Sequence, residues 1–163
     1  MDVLFDFVLA FFGTVAFAML FQAPWRSLTI TGIIGACGWT VFAFFSQQLQ
    51  YNSFYAIFAG TVIVSLLSEL AARYDKQPAT IFVVPGIIPL VPGLGLYGGM
   101  TKIIEKNIES GLDLLFSAGT DACGIALGIM FMTSVFRVLK ISRERKHLQK
   151  LLRMQKKANS RTD

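Results

Sequence analysis

The sequence predicts an all-α membrane protein with about five transmembrane helices, the fourth broken into two half-helices by a Pro/Gly motif, and a basic C-terminal tail. Three observations predict it. Of the 163 residues 54% are hydrophobic, and the mean hydropathy is +0.58, far above an ordinary soluble chain. The apolar residues gather into segments long enough to cross roughly 30 Å of hydrocarbon. Ten of the fifteen Lys/Arg lie between Arg137 and Arg161, so the apolar body is nearly neutral and the charge belongs to its end. The +5 net charge therefore bears on membrane orientation rather than on nucleic acid.

The spans fall at 3–22, 27–46, 53–72, 79–100 and 112–139, giving a transmembrane domain over 1–139 and a basic cytoplasmic tail over 140–163. The first apolar run carries Asp2 and Asp6 in place of a basic leader and is too long for a signal peptide, so it reads as a retained span. Pro24 and Pro78 punctuate helix ends. Trp25, Tyr51, Tyr55, Tyr74 and Tyr97 sit near segment ends, where aromatic anchors belong, while Trp39 lies deeper and packs. Small residues at helix-packing intervals, Gly95/Gly99, Gly124/Gly128 and Gly32/Ala36, let backbones approach closely. The joint holding Ile103, Ile104, Ile108 and Leu112 among charges reads either as an interfacial amphipathic turn or as a solvated loop.

The stretch FVVPGIIPLVPGLGLYGGM, residues 82–100, is apolar enough for a bilayer yet holds Pro85, Pro89 and Pro92 with five glycines. Each proline removes a donor and clashes with the carbonyl four residues back, at about 3 kcal/mol inside a helix. An unwound stretch over 83–95 is predicted, with a second half-helix opening near Leu96. Broken backbone at membrane depth persists only where it is buried in protein or lines a polar cavity, and transporters build substrate sites from such half-helices. The free N–H groups and positive end of the second half-helix suit a carboxylate. Pro85, Gly86, Pro89, Pro92, Gly93, Gly95 and Tyr97 are the candidate substrate-binding residues. The function class is membrane transport, with a non-transporting assembly subunit or a passive channel as alternatives.

Charge bias orients the chain. With five crossings and the C-terminus inside, thirteen of the fifteen Lys/Arg are internal and only Lys102 and Lys106 are external. A re-entrant fourth segment would move Arg26, Arg73 and Lys76 outside, so the positive-inside rule prefers N-terminus out and C-terminus in. Intramembrane ionisable groups are costly and so are functional candidates. Asp121, beside Thr120, falls near mid-depth of the fifth span and reads as either a proton-coupling residue or a structural hydrogen-bonding one. Its expected partners are Thr120, backbone freed by the Pro/Gly segment, or a group of another subunit. Glu69 is a second coupling candidate, although an ion pair with Arg73 four residues on accounts for it. Asp6 lies close enough to the surface to be solvated.

Enzyme chemistry has no foothold, since the sequence has no nucleophile elbow, phosphate loop or metal-ligand spacing, and its one histidine, His147, sits in the basic tail. No cofactor is implied. Cys37 and Cys123 read as small buried hydrophobes, with a bridge between them left open. The tail, with Ile141, Leu148, Leu151, Leu152 and Met154 among its bases, reads as a continuing basic helix. It either binds anionic headgroups or a partner subunit, or anchors by charge alone.

The segment ELAARYDKQPATIFVVPGIIPLVPGLGLY, residues 69–97, resembles the hallmark of the bacterial threonine/serine exporter family, in its C-terminal membrane half. FAMLFQAPWRSL at 17–28 and GIIGACGWTVF at 32–42 fit the same family. The resemblance runs over roughly residues 5–139 and leaves out the basic tail, and Asp121 is not among its hallmarks. It implies a five-span subunit in the bacterial plasma membrane working with a larger partner, which carries its own five-span half and a soluble hydrolase-like domain. It also implies export of threonine and serine, or of a dicarboxylate such as succinate in one two-subunit branch, driven by the membrane gradient. A half that ends outside, joined to this N-out half, makes an inverted repeat. Whether the chain also forms homo-oligomers is left open.

Overall fold

A computed structural model describes the backbone of residues 3–48 and 52–159 and the side chains of 3–47 and 52–139. Six α-helices run in order: α1 (Val3–Leu20), α2 (Trp25–Ala43), α3 (Ser53–Asp75), α4 (Thr80–Ile87), α5 (Gly93–Ile104) and α6 (Ile108–Asn159). A π-helical turn, Phe44–Gln48, prolongs α2, and a 3-10 turn, Ile88–Leu90, prolongs α4. Among the described residues there is no strand.

The helix ends follow from local chemistry. Asn52 caps α3, its side chain accepting from the Phe54 amide at 3.4 Å. Three reversals pass through a non-glycine residue in the left-handed region, Gln22 (φ 57°), Lys76 (φ 54°) and Lys106 (φ 64°). Each is followed by an amide that reaches back five residues: Ala23 to the Ala18 carbonyl at 3.0 Å, Gln77 to Ala72 at 3.1 Å and Asn107 to Lys102 at 2.9 Å. This is the Schellman closure that glycine usually serves.

The core lies where α2, α3 and α4 meet, around Ile34, Val64, Ala71, Phe82 and Leu90. Two glycines make the meeting possible. A Cβ at Gly60 would come within 2.9 Å of the Gly38 carbonyl and 2.7 Å of Leu90, and a Cβ at Gly38 within 2.2 Å of Val64. α1 turns back through residues 21–24 and lies antiparallel against α2, with Val3 and Asp6 beside Trp39 and Ala43 and with Thr14 over Gly35 and Val15 over Gly32. α5 and the start of α6 form a hairpin closed at Gly99 and Gly111, where each glycine's Cβ position lies about 3 Å from the other's carbonyl (3.0 and 2.9 Å).

α3 and α6 run parallel. Ser53 bonds Asp121, Gly124 meets Phe54 and Ile57, Gly128 meets Thr61, and Arg73 lies over the Phe136 ring. Both sequences advance the same way along the contact, so the chain returns across the bundle between Asp75 and Asp121. The α4–α5 pair, bent by 48° at its break, provides that return as one broken crossing, whereas a re-entrant loop would leave α6 antiparallel to α3.

Two expectations are corrected. The predicted unwinding over 83–95 shrinks to Val91 and Pro92: α4 continues through Pro85, tightens to 3-10 winding at Ile88–Leu90, and α5 opens at Gly93 instead of Leu96. Pro85 and Pro89 are four residues apart, so their missing donors fall in adjacent turns, and burial against α2 and α3 holds the shortened helix in place. The joint around Ile103–Leu112 is a solvated loop only over residues 105–107, since α5 runs to Ile104 and helix resumes at Ile108. α6 runs past 139 to Asn159 as one continuing helix; the tail's side-chain contacts and Tyr51 lie outside the described residues.

Filling the glycine crossing is the sharpest test of this core. Gly38→Ala and Gly60→Ala should each lower stability by about 1–3 kcal/mol through overpacking. Gly13→Ala, where a Cβ would meet nothing within 4 Å, should be neutral or stabilising by up to about 1 kcal/mol. Thermal unfolding in detergent separates the two classes.

Candidate functional site

The predicted substrate-binding residues do not converge on one pocket. Pro85 and Gly86 are buried, with Gly86 packed on Val64 and Ile34, so their contribution is to shape the broken helix. Pro89 reaches the groove between α1 and α2. Pro92 caps α5, whose first bond back is Leu96 N–H to the Pro92 carbonyl at 3.1 Å. The first-turn amides of Leu94 and Gly95 therefore stand ahead of the helical ladder. Gly93 faces open space, Gly95 lies against Ala118 of α6, and Tyr97 is exposed.

Sequence reasoning missed the groove that Pro89 enters. It holds about 280 Å³ and is lined by Asp6, Leu9, Ala10, Gly13, Phe17, Trp39, Ile88 and Pro89. Asp6 is half-buried here and also borders a second recess with Trp39, Thr40 and Gln47, so it faces the bundle instead of simply being solvated. Trp39 packs as expected, stacked on Phe42 with ring centroids 5.2 Å apart.

Asp121 has a partner that the sequence did not name. It is buried, and its Oδ2 accepts from Ser53 Oγ at 3.0 Å. Thr120 is exposed and donates to the Ser117 carbonyl at 2.7 Å instead. Because Ser53 opens α3, Asp121 lies level with the start of that helix. α6 runs a further 20 Å or so past it, at about 1.5 Å per residue. The same motif recurs at the other end of α3, where buried Ser27, in the first turn of α2, donates to Asp75 Oδ2. In both pairs a carboxylate sits at the positive end of a helix dipole, bridged by a serine. Beside Asp121 a groove of about 800 Å³ opens between α3 and α6, lined by Asn52, Phe54, Tyr55, Leu115, Phe116, Thr120 and Cys123 among others.

The Glu69–Arg73 ion pair does not form. Arg73 instead sits over Phe136, its guanidinium carbon 4.9 Å from the ring centroid. Among the described residues the ion pair present is Lys102–Glu105 at 3.0 Å. A flat guanidinium keeps favourable contact with a ring face after losing water, and this contact ties α3 to α6. Cys37 and Cys123 are free thiols, and Cys123 is exposed. Among the described residues no cluster of His, Cys, Asp and Glu could hold a metal.

Residues 6–135 match the family model described as Threonine/Serine exporter, ThrE. The chain belongs to the threonine/serine exporter family. Its curated relatives include an uncharacterized protein of Haemophilus influenzae, 28% identical over an alignment of 148 residues that covers 80% of this chain and 48% of that protein. Another is a threonine/serine exporter of Corynebacterium glutamicum, 30% identical over 125 residues, 77% of this chain and 25% of that one. The chain thus spans about half the length of the first relative and a quarter of the second. No solved structure matches it. The family match takes in the broken crossing and Asp121 and stops short of the basic tail.

Proposed function

We propose that this chain is one membrane half of a secondary exporter that moves small polar carboxylates, threonine and serine or a dicarboxylate such as succinate, out of the cell with a larger membrane subunit. The observation that carries this reading is a broken crossing with open first-turn amides inside a match to an exporter family. In this reading Pro92, Gly93, Gly95 and Tyr97 present the carboxylate site at the start of α5, and Pro85, Gly86 and Pro89 hold the break in shape. Helix-start amides offer directed donors without a fixed positive charge, so a carboxylate is bound and also released.

Asp121 is the coupling residue of this proposal, with Thr120 at the mouth of the adjoining groove and Glu69 as the weaker candidate. A carboxylate held by one serine changes from acceptor to donor on protonation, so the α3–α6 contact at Ser53 responds to proton occupancy. The larger subunit covers the outward-facing apolar surfaces of α1 and of α5, where Leu4, Phe12, Leu94 and Tyr97 are exposed. The chain sits in the bacterial plasma membrane with its N-terminus outside, its C-terminus in the cytoplasm and its basic tail against anionic headgroups.

Three outcomes test this reading. Pro89→Ala and Pro92→Ala should insert normally yet lower export of labelled threonine or serine about tenfold, equivalent to roughly 1.4 kcal/mol; unchanged export in both would remove the site from the break. Asp121→Asn should leave assembly intact and flatten the dependence of export on the pH gradient. A pH dependence like that of the unaltered protein would reduce Asp121 to a structural partner of Ser53. In a cysteine-free background, a cysteine at Asn52 should react with an impermeant thiol reagent from outside and one at Lys76 only from inside. The reverse pattern would overturn the orientation.

A further inference from the structure

α3 carries three buried hydroxyls that nothing satisfies. Thr61 Oγ1, Ser65 Oγ and Ser68 Oγ have no hydrogen-bond partner, in residues only 0%, 3% and 0% exposed. Other hydroxyls in the bundle avoid this state. Thr14, Thr31, Thr40 and Thr101 each donate to the carbonyl four residues back, at 2.7 to 3.0 Å. The same local bond is open to the three on α3 and is not made. An unpartnered buried hydroxyl has lost its water without gaining a partner, so the closed seam keeps three such penalties side by side.

Their placement is ordered. Spacings of four and three residues put them on one stripe of the helix. The stripe continues the face of α3 that meets α6, where Ile57 lies against Gly124 and a Cβ at Gly128 would come within 2.9 Å of Thr61. The opposing stretch of α6, residues 122–136, contains no Asp, Glu, Lys or Arg and meets α3 through Gly124 and Gly128. Thr61 meets Gly128 through its Cβ and methyl group, so its hydroxyl, like those of Ser65 and Ser68 on the same stripe, is left without a polar neighbour. A serine–aspartate pair stands at each end of α3, Ser53–Asp121 at one and Ser27–Asp75 at the other.

We propose that the α3–α6 seam is a solute path: when the helices part, Thr61, Ser65 and Ser68 line a wetted track between the two serine–aspartate pairs. A hydroxyl both donates and accepts, so a row of them serves the ammonium and the carboxylate of a zwitterion alike. Residues 61–68 carry no charge and Arg73 stands beyond them over Phe136, so this stretch of the track suits water and small solutes of zero net charge better than a bare ion. The solute assignment rests on the transport reading above; the opening and wetting of the seam do not.

The test uses the full chain in native membranes, with both native cysteines replaced by alanine. Single cysteines at Thr61, Ser65, Ser68 and Val64 are exposed to a small charged methanethiosulfonate reagent, which reacts only where water reaches. Val64 is fully buried on the neighbouring face, against Gly38 and Gly86. The three seam positions should react at least tenfold faster than Val64. Equal or slower reaction at all three would overturn the proposal. If the cysteine variants fail to accumulate, amide hydrogen exchange of the unaltered chain decides the matter. Residues 61–68 should exchange faster than residues 30–38 of α2, and protection equal to α2 would overturn the path. Neither measurement reads transport, so a seam that labels in a chain unable to move threonine upholds the path and rejects the exporter assignment.

Discussion

The approach of α2 to α3 at Gly38 and Gly60 is the contact on which the rest of the bundle depends. Two helices without side chains at their crossing come close enough for Leu90 to seat against both glycines. In hydrocarbon, packing of this kind replaces the hydrophobic drive that holds soluble helices together. Leu90 ends the 3-10 turn after the interrupted helix, so the glycine crossing also fixes where α4 stops. A bulkier crossing would displace Leu90 and leave the weakened backbone around Pro89 unsupported.

From that fixed point the direction of every later element follows. α4 rises beside α2 with Gly86 against Ile34 and Leu90 against Gly38, and the break at Val91 and Pro92 turns the chain aside by 48°. α5 then leaves the core and packs on α6 alone at Gly95 and Gly99, and α6 returns alongside α3. The broken crossing thus separates a tight three-helix core from a looser hairpin. Polar groups gather where these two parts meet, at Asp121, Ser53 and the unpartnered hydroxyls.

Much of this was legible in the residues. The helical class, the long apolar helices, an interruption between α4 and α5 and the glycine spacings all follow from composition and punctuation, because lipid allows few backbone solutions. The length of the break was not legible. Proline costs taken one at a time predict a long unwound loop, whereas burial between α2 and α3 lets Pro85 remain helical. The partners of Asp121 and Asp75 were hidden because each serine is many residues away, and only the parallel docking of α3 and α6 brings Ser53 to Asp121. Arg73 was misassigned for a related reason: a ring on α6, invisible in the local spacing, competes successfully with Glu69 four residues away. The groove at Asp6 needed the tertiary fold as well, since its walls come from α1, α2 and the 3-10 turn.

α6 has a mechanical consequence. An uninterrupted helix over Ile108–Asn159 is about 78 Å long at 1.5 Å per residue, more than twice the roughly 30 Å hydrocarbon thickness. Its fulcrum is the glycine contact at Gly124 and Gly128, where a smooth surface offers little resistance to rocking. Rigid-body tilt about that point works as a lever: at about 1.5 Å per residue, five degrees moves the C-terminal end by roughly 4 Å and the hairpin end by about 2 Å the opposite way. Force applied on one side of the bilayer is thereby delivered on the other through a single element.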